Sequence, residues 1–196
     1  MQSLSARHPL QLYIANASRT GTAHIGHCSI LENIFQQFPT TPHQLETIEP
    51  YIRPPWYIPV ITLQLETSKE SAKQLHIQLQ ANSPYQSMRI YTDGSGIANK
   101  IGAATFNPTT KRVDHQHLGS DEHFNVYTAE LTAIHLAVSQ WHNQTTYRSC
   151  HIFTDSQAAG KSMICPRRQS GQSIIKSTLD LIDTTTLIHL RRLTIT

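Results

Sequence analysis

The sequence is poor in cysteine, in charge and in long apolar runs, and each shortage excludes something. Three cysteines in 196 residues, Cys28, Cys150 and Cys165, stand far apart. An odd, sparse set is not a disulfide framework, and it fits a reducing, intracellular compartment without choosing between cytoplasm and nucleus. No apolar run approaches the roughly 20 residues that span a bilayer, so no membrane partner is expected. The N-terminal MQSLSARHPLQLYIANAS lacks a long apolar core and reads as no signal peptide. The sequons at Asn16 and Asn143 are then idle. Charged residues make up only 15% and hydrophobic ones 38%, so parts of the chain are expected to pack poorly. The net charge is +3. The pI near 8.8 is below that of a dedicated nucleic-acid-binding domain. It permits a polyanionic partner without demanding one. His24, His27 and Cys28 cluster, but no second ligand pair follows at zinc-like spacing.

What is present divides near residue 85. Residues 1 to 45 hold a weak helical pattern around GHCSILENIFQQF, ended by Phe38-Pro39 and Thr41-Pro42. EPYIRPPWYIPV follows, and its Pro50, Pro54, Pro55 and Pro59 favour an extended connector. Thr67-Ser68-Lys69-Glu70 has capping-box spacing, and Ala72, Leu75 and Leu79 predict a short amphipathic helix. Asn82-Ser83-Pro84 breaks it. Residues 1 to 85 are therefore read as an N-terminal extension and 86 to 196 as the main domain. In that domain RIYTD ends a first strand at Asp93. IGAATFN at 101 to 107 is a second strand and Lys111 to Leu118 a weaker third, a meander with a turn from Ile97 to Lys100. Residues 126 to 141 have helical period, and CHIFT at 150 to 154 is a fourth strand. A short helix from Ser156, another over 171 to 182, and a strand within TTLIHLRRLTIT complete the order βββ-α-β-α-α-β. This is an α/β fold: a mixed sheet with flanking helices.

Three acids occupy unusual places. Asp93 precedes Gly94, and an Asp-Gly pair after an extended run is also a strong hairpin signal. Glu130 lies one turn before Ile134 on the apolar stripe of its helix, where a charge is costly unless paired or metal-bound. The alternative is the helix's first turn, where an acid favours the dipole. Asp155 stands at a strand end, where open sheets collect ligands, or it is the N-cap of the next helix. If strands one and four are neighbours, the three converge. Two carboxylates 4 Å apart repel by roughly 4 kcal/mol at an effective dielectric of 20, so such a site calls for cations. All-oxygen ligands select Mg²⁺ or Mn²⁺.

YTDGSG, then TAEL with a following AI-x-x-A, then FTDSQAA, in this order, resembles a type 1 ribonuclease H domain. The acids lie 37 and 25 positions apart, as in that family. The resemblance covers roughly residues 86 to 196. The upstream YIRPPWYIPV and ESAKQLHIQLQ are similar to the segment joining reverse transcriptase to ribonuclease H in fungal non-LTR retrotransposons. The resemblance implies that Asp93, Glu130 and Asp155 are catalytic, metal-binding carboxylates. It implies Mg²⁺, or Mn²⁺, as cofactor and an RNA–DNA hybrid or other nucleic acid as partner. Gly94, Ser95 and Gln157 would lie along the hybrid, reading 2′-hydroxyls and backbone shape.

The family carries a fourth acid near its C-terminus, after a strand that continues into a Trp-Ile-Pro-Gly-His loop. Here LIHLRR is followed by LTIT, with neither the loop His nor the fourth Asp. Asp180 and Asp183 precede the final strand and are expected to face solvent. The expectation is a C-terminally truncated domain without its final helix, cutting the RNA strand weakly. The alternative is a non-catalytic nucleic-acid-binding remnant of a retrotransposon polyprotein.

Overall fold

A computed structural model describes residues 36–37, 60–66, 68–81, 87–167, 169–189 and 191–196, with the backbone alone at 187–189. The His24–Cys28 cluster and most of the proline-rich connector lie outside the described residues. Contacts group the chain into two units, Met1–Thr47 and Ile48–Thr196. Of the first, only the helical pair Gln36–Gln37 is described.

In the second unit the elements are β1 (Ile61–Leu63), α1 (Lys69–Ala81), β2 (Ser87–Ile97), β3 (Lys100–Asn107) and β4 (Arg112–Ser120). Then come α2 (Val126–His142), β5 (Ser149–Phe153), α3 (Gln157–Ile164), α4 (Gln172–His189) and β6 (Arg192–Ile195). The strands form one mixed sheet of six, in the order β1-β6-β5-β2-β3-β4. The expected βββ-α-β-α-α-β succession is thus found, as a mixed sheet flanked by helices.

Three of the five strand pairings are parallel and two antiparallel. β1 pairs with β6, β6 with β5 and β5 with β2 in parallel. β2–β3 and β3–β4 are antiparallel. The β2–β3 turn is the expected one: Ala98 and Asn99 both have positive φ, 49° and 61°, the pairing of a type I′ hairpin. The sheet also extends across the expected boundary near residue 85, because Ile61 to Leu63, read as connector, pair with Leu193 to Ile195.

Alternation along the strands gives the sheet an inner and an outer face. Met88, Ile90, Cys150, Ile152, Leu193 and Ile195 point inward, fully buried against Leu131, Ile134 and Trp141 of α2 and Ile175, Leu179 and Ile182 of α4. Each such aliphatic side chain contributes about 1.5–3 kcal/mol by leaving water. The outer face is covered differently. There α1 lays His76 edge-on against Tyr91 and Phe153, at 5.6 and 4.8 Å between ring centroids, and those two rings stack at 5.1 Å. No residue of α1 is fully buried. Its N-terminal cap is Ser68, whose Oγ accepts from Ser71 N–H at 3.1 Å. Thr67, where the capping box was expected to begin, lies outside the described residues.

α4 corrects a second expectation. TTLIH was read into the last strand because TTLIHLRRLTIT alternates like one. The helix runs on to His189, and β6 is only four residues long. The Thr178, Thr185 and Thr186 hydroxyls each donate to the carbonyl four residues back, at 2.7, 2.6 and 2.9 Å, and are buried without cost to the helix ladder. With their protons so used, Thr178 and Thr185 accept from His135 and His142 Nδ1 at 3.0 and 2.8 Å, tying α4 to α2. Asp180 is exposed, as expected, and pairs with Lys176 at 2.9 Å. Asp183 is half-buried. Among the described residues no helix is long and apolar enough to cross a membrane.

Candidate active site

Two of the acids, Asp93 and Asp155, lie just past the end of a parallel strand pair. The β2–β5 register stops at Tyr91↔Phe153, two residues before Asp93 and two before Asp155. β2 itself does not stop at Asp93, as the sequence suggested. It continues to Ile97 because β3 goes on pairing with it, Asp93 opposite Ala104. Asp93 is therefore a strand residue, exposed past the last β5 pair, and the turn lies five residues on.

Gly94 explains why glycine follows. Its Cα faces α2 so closely that an added Cβ would stand 2.5 Å from Glu130 N, 2.8 Å from Ala129 C and 2.9 Å from Glu130 Cδ. Two of those atoms are backbone and cannot swing aside. Gly94 is thus buried, and its N–H donates to Glu130 Oε1 at 3.1 Å.

Glu130 is the fifth residue of α2, beyond the first turn, which holds no acid. The helix N-terminus is served by Asn125, whose Oδ1 accepts from Thr128 N–H at 2.8 Å. Glu130 is 6% exposed, and its Oε2 is buried with no hydrogen-bond partner. Its pKa is pushed up to about 7, first by burial, then by Asp155 and, more weakly, Asp93, against the lowering effect of the Gly94 hydrogen bond. Both aspartates therefore act electrostatically on one buried carboxyl.

Asp155 is exposed and does not cap α3. Ser156 does, accepting from Ala159 N–H at 3.3 Å, while Ser156 N–H donates to Thr154 Oγ1 at 3.2 Å. The local alternatives of turn, first-turn acid and cap are thus filled by Ala98-Asn99, Asn125 and Ser156. Ser95 is half-buried and Gln157 exposed beside the acids.

The donor set fits a hard divalent cation: three carboxylates, one with a buried oxygen lacking a partner and a proton affinity raised by the other two. Among the described residues no group of three or more His, Cys, Asp or Glu side chains is gathered closely enough to hold a metal ion as it stands. Sequence reasoning missed one neighbour. A cavity of about 150 Å³ is lined by Asp155, Ser156 and Gln157 on one side and by Leu63, Glu66 and Ala72 on the other. The β1–α1 connection therefore forms one wall beside Asp155. Only the pairing of β1 with β6 places it there, and no local signal announces that pairing.

No protein family's sequence profile matches the chain, and neither does any curated protein. Solved structures do. A ribonuclease H1 from the halophilic archaeon Halobacterium salinarum NRC-1 is 15% identical with a TM-score of 0.41, the match covering 56% of this chain and 83% of that one. The ribonuclease H1 called LC11, in complex with an RNA/DNA hybrid, is 14% identical with a TM-score of 0.41, over 56% and 83% of the two chains.

Proposed function

We propose that the chain is a Mg²⁺-dependent endonuclease of the ribonuclease H type that hydrolyses the RNA strand of RNA–DNA hybrids. The observation that carries this reading is Glu130, a buried carboxyl with one unpartnered oxygen whose pKa two further acids raise. Asp93, Glu130 and Asp155 would hold Mg²⁺, or Mn²⁺ in its place. Bound there, such an ion supplies an activated water and charge stabilisation at the leaving oxygen.

The chain's own residues do the rest. Gly94 fixes Glu130 Oε1, so the orphaned Oε2 keeps one orientation. With a pKa near 7, Glu130 can hold a proton at Oε2 close to neutral pH. Ser95 and Gln157 flank the acids and offer a hydroxyl and an amide to 2′-hydroxyls and phosphates. Gly94, buried beneath, lets the strand carry Asp93 past the helix. Three carboxylates are a sparse ligand set, so turnover is expected to be slow.

A labelled RNA–DNA hybrid incubated with the protein and Mg²⁺ tests the reading. Cleavage confined to the RNA strand, and reduced at least about 100-fold in Asp93→Asn, is expected. No cleavage by the natural sequence, or equal cleavage by the variant, overturns it. A second reading, hybrid binding without cutting, is favoured by the lack of a tight ligand cluster among the described residues. Retained binding with no cleavage would select it.

A further inference from the structure

We infer that the nucleic-acid strand held at the acids continues across the outer face of β3 and β4, where Lys100, His115 and His117 receive its phosphates. This rests on the function proposed above.

Register places the residues. Directly opposed residues in antiparallel strands share a face. Gly94 faces α2, so its neighbours Asp93 and Ser95 face outward. Asp93 pairs with Ala104, which pairs with His115. Ser95 pairs with Gly102, which pairs with His117. Tyr91 pairs with Phe106, which pairs with Val113. Lys100, two residues before Gly102, shares their side.

The outer half-sheet is therefore built in rows. One row is apolar, with Phe106 43% and Val113 57% exposed. The next runs from Asp93 over Ala104 to His115, and the last from Ser95 over Gly102 to His117. Alanine and glycine make a low floor where a sugar–phosphate backbone can approach, with Phe106 and Val113 as an apolar shelf beside it. Strands lie about 4.8 Å apart, so His115 stands two spacings, about 10 Å, from Asp93 at the backbone. That is too far to share one phosphate with the acids and suits a neighbouring one.

Charge selects the occupant. Asp93 lies at the β2 end of these rows and the exposed His115 and His117 at the β4 end, with exposed Lys100 on β3 beside the hairpin turn. The acid of β4, Asp114, pairs with Thr105, so it faces inward, and Arg112 takes its carboxylate at 3.0 Å. Protection of an edge strand explains polar residues on β4 but not why both of its histidines stand on the face of Asp93. A polyanion with its reacting phosphate at the acids meets donors where its next phosphates fall. α1 leaves this part open, since His76 and Gln80 engage Tyr91 at the β5 side of the sheet.

The test is binding of a fluorescent RNA–DNA hybrid over a salt series, without divalent cation so that the strand stays whole. The triple variant Lys100→Gln, His115→Ala, His117→Ala is expected to bind about tenfold more weakly. Lys100→Gln alone should lower the slope of log affinity against log salt by about 0.9, the release of one phosphate's counterions. Lys100→Glu should weaken binding further, and Asp93→Asn should bind at least as well as the natural sequence. Unchanged thermal melts check that the exposed substitutions leave the fold intact. Natural affinity and slope in the triple variant would overturn the surface while leaving the cleavage reading standing. No hybrid binding or cleavage by the natural sequence would overturn both.

Discussion

Two buried charges stand at opposite ends of α2 and are treated in opposite ways. Arg191, 4% exposed, meets the C-terminal end. Its Nη2 donates to Trp141 O and Gln144 O, both at 2.6 Å, and its Nε donates to Tyr147 O at 2.8 Å. The guanidinium lies 4.4 Å over the Trp141 ring. Carbonyls of a helix end, its negative dipole and an aromatic face all favour a cation. Burial lowers the pKa of Arg191, yet only Nη1 is left without a partner. Glu130, near the other end, has one N–H donor, one orphaned oxygen and two acids that raise its pKa. Neutral dipoles complete the cation. The anion is left short of positive charge. That contrast separates a charge kept for the fold from one kept for a ligand.

The sharpest way to break the contrast is to remove the completed charge. Arg191→Met should take a charged donor from three carbonyl oxygens at the α2–β6 junction, of which Trp141 O keeps Gln144 N–H at 3.1 Å, and cost about 3 kcal/mol. The urea midpoint of unfolding measures it, and a loss below about 1 kcal/mol would mean that water replaces the clamp. Next in size is Gly94→Ala, whose Cβ would press on the Glu130 backbone. Overpacking of this kind costs about 1–3 kcal/mol. The same substitution should abolish cleavage, because α2 can yield only by moving Glu130. A thermal melt beside the cleavage assay checks both, and an unshifted melt would show that the close approach does not constrain the site.

How legible was this in the sequence? The three acids could be singled out as a candidate group, because order and spacing survive without coordinates, and their role stands as a proposal. The turn from Ile97 to Lys100 was legible, once the second strand was placed near Ile101, though not its I′ type. What the sequence hid were relations set by partners. Asp93 looked like a strand end because Gly-Ser-Gly weakens strand propensity, but pairing with β3 carries the strand through. β1 is three residues whose status depends on β6 alone. The threonines at the end of α4 read as strand because they fall in an alternating segment, and alternation does not register a hydroxyl returning its proton to the helix. Arg191 was invisible for the same reason: its acceptors lie 44 to 50 residues away in sequence.

The smallest effect carries the most about function. Glu130 has a folded pKa near 7 against an ordinary value of 4.5. Between those values the folded chain binds more protons than the unfolded one, so stability falls as pH rises from about 4.5 through about 7. The favourable contribution is fully present below that window and absent above it. Glu130→Gln keeps an acceptor for Gly94 N–H but cannot ionise, so its stability should not decline across the window. At pH 8 the variant should be more stable than the natural sequence, by on the order of 1 kcal/mol. It should also lose cleavage, which identifies a residue whose charge harms the fold and serves the chemistry. Mg²⁺ sharpens the test. By binding only the folded form it should raise the melting temperature of the natural protein at pH 8, and raise that of Glu130→Gln less. Melting curves from pH 4 to pH 8, with and without Mg²⁺, decide it. Parallel pH profiles for the two proteins would mean that Glu130 is as well satisfied as Arg191.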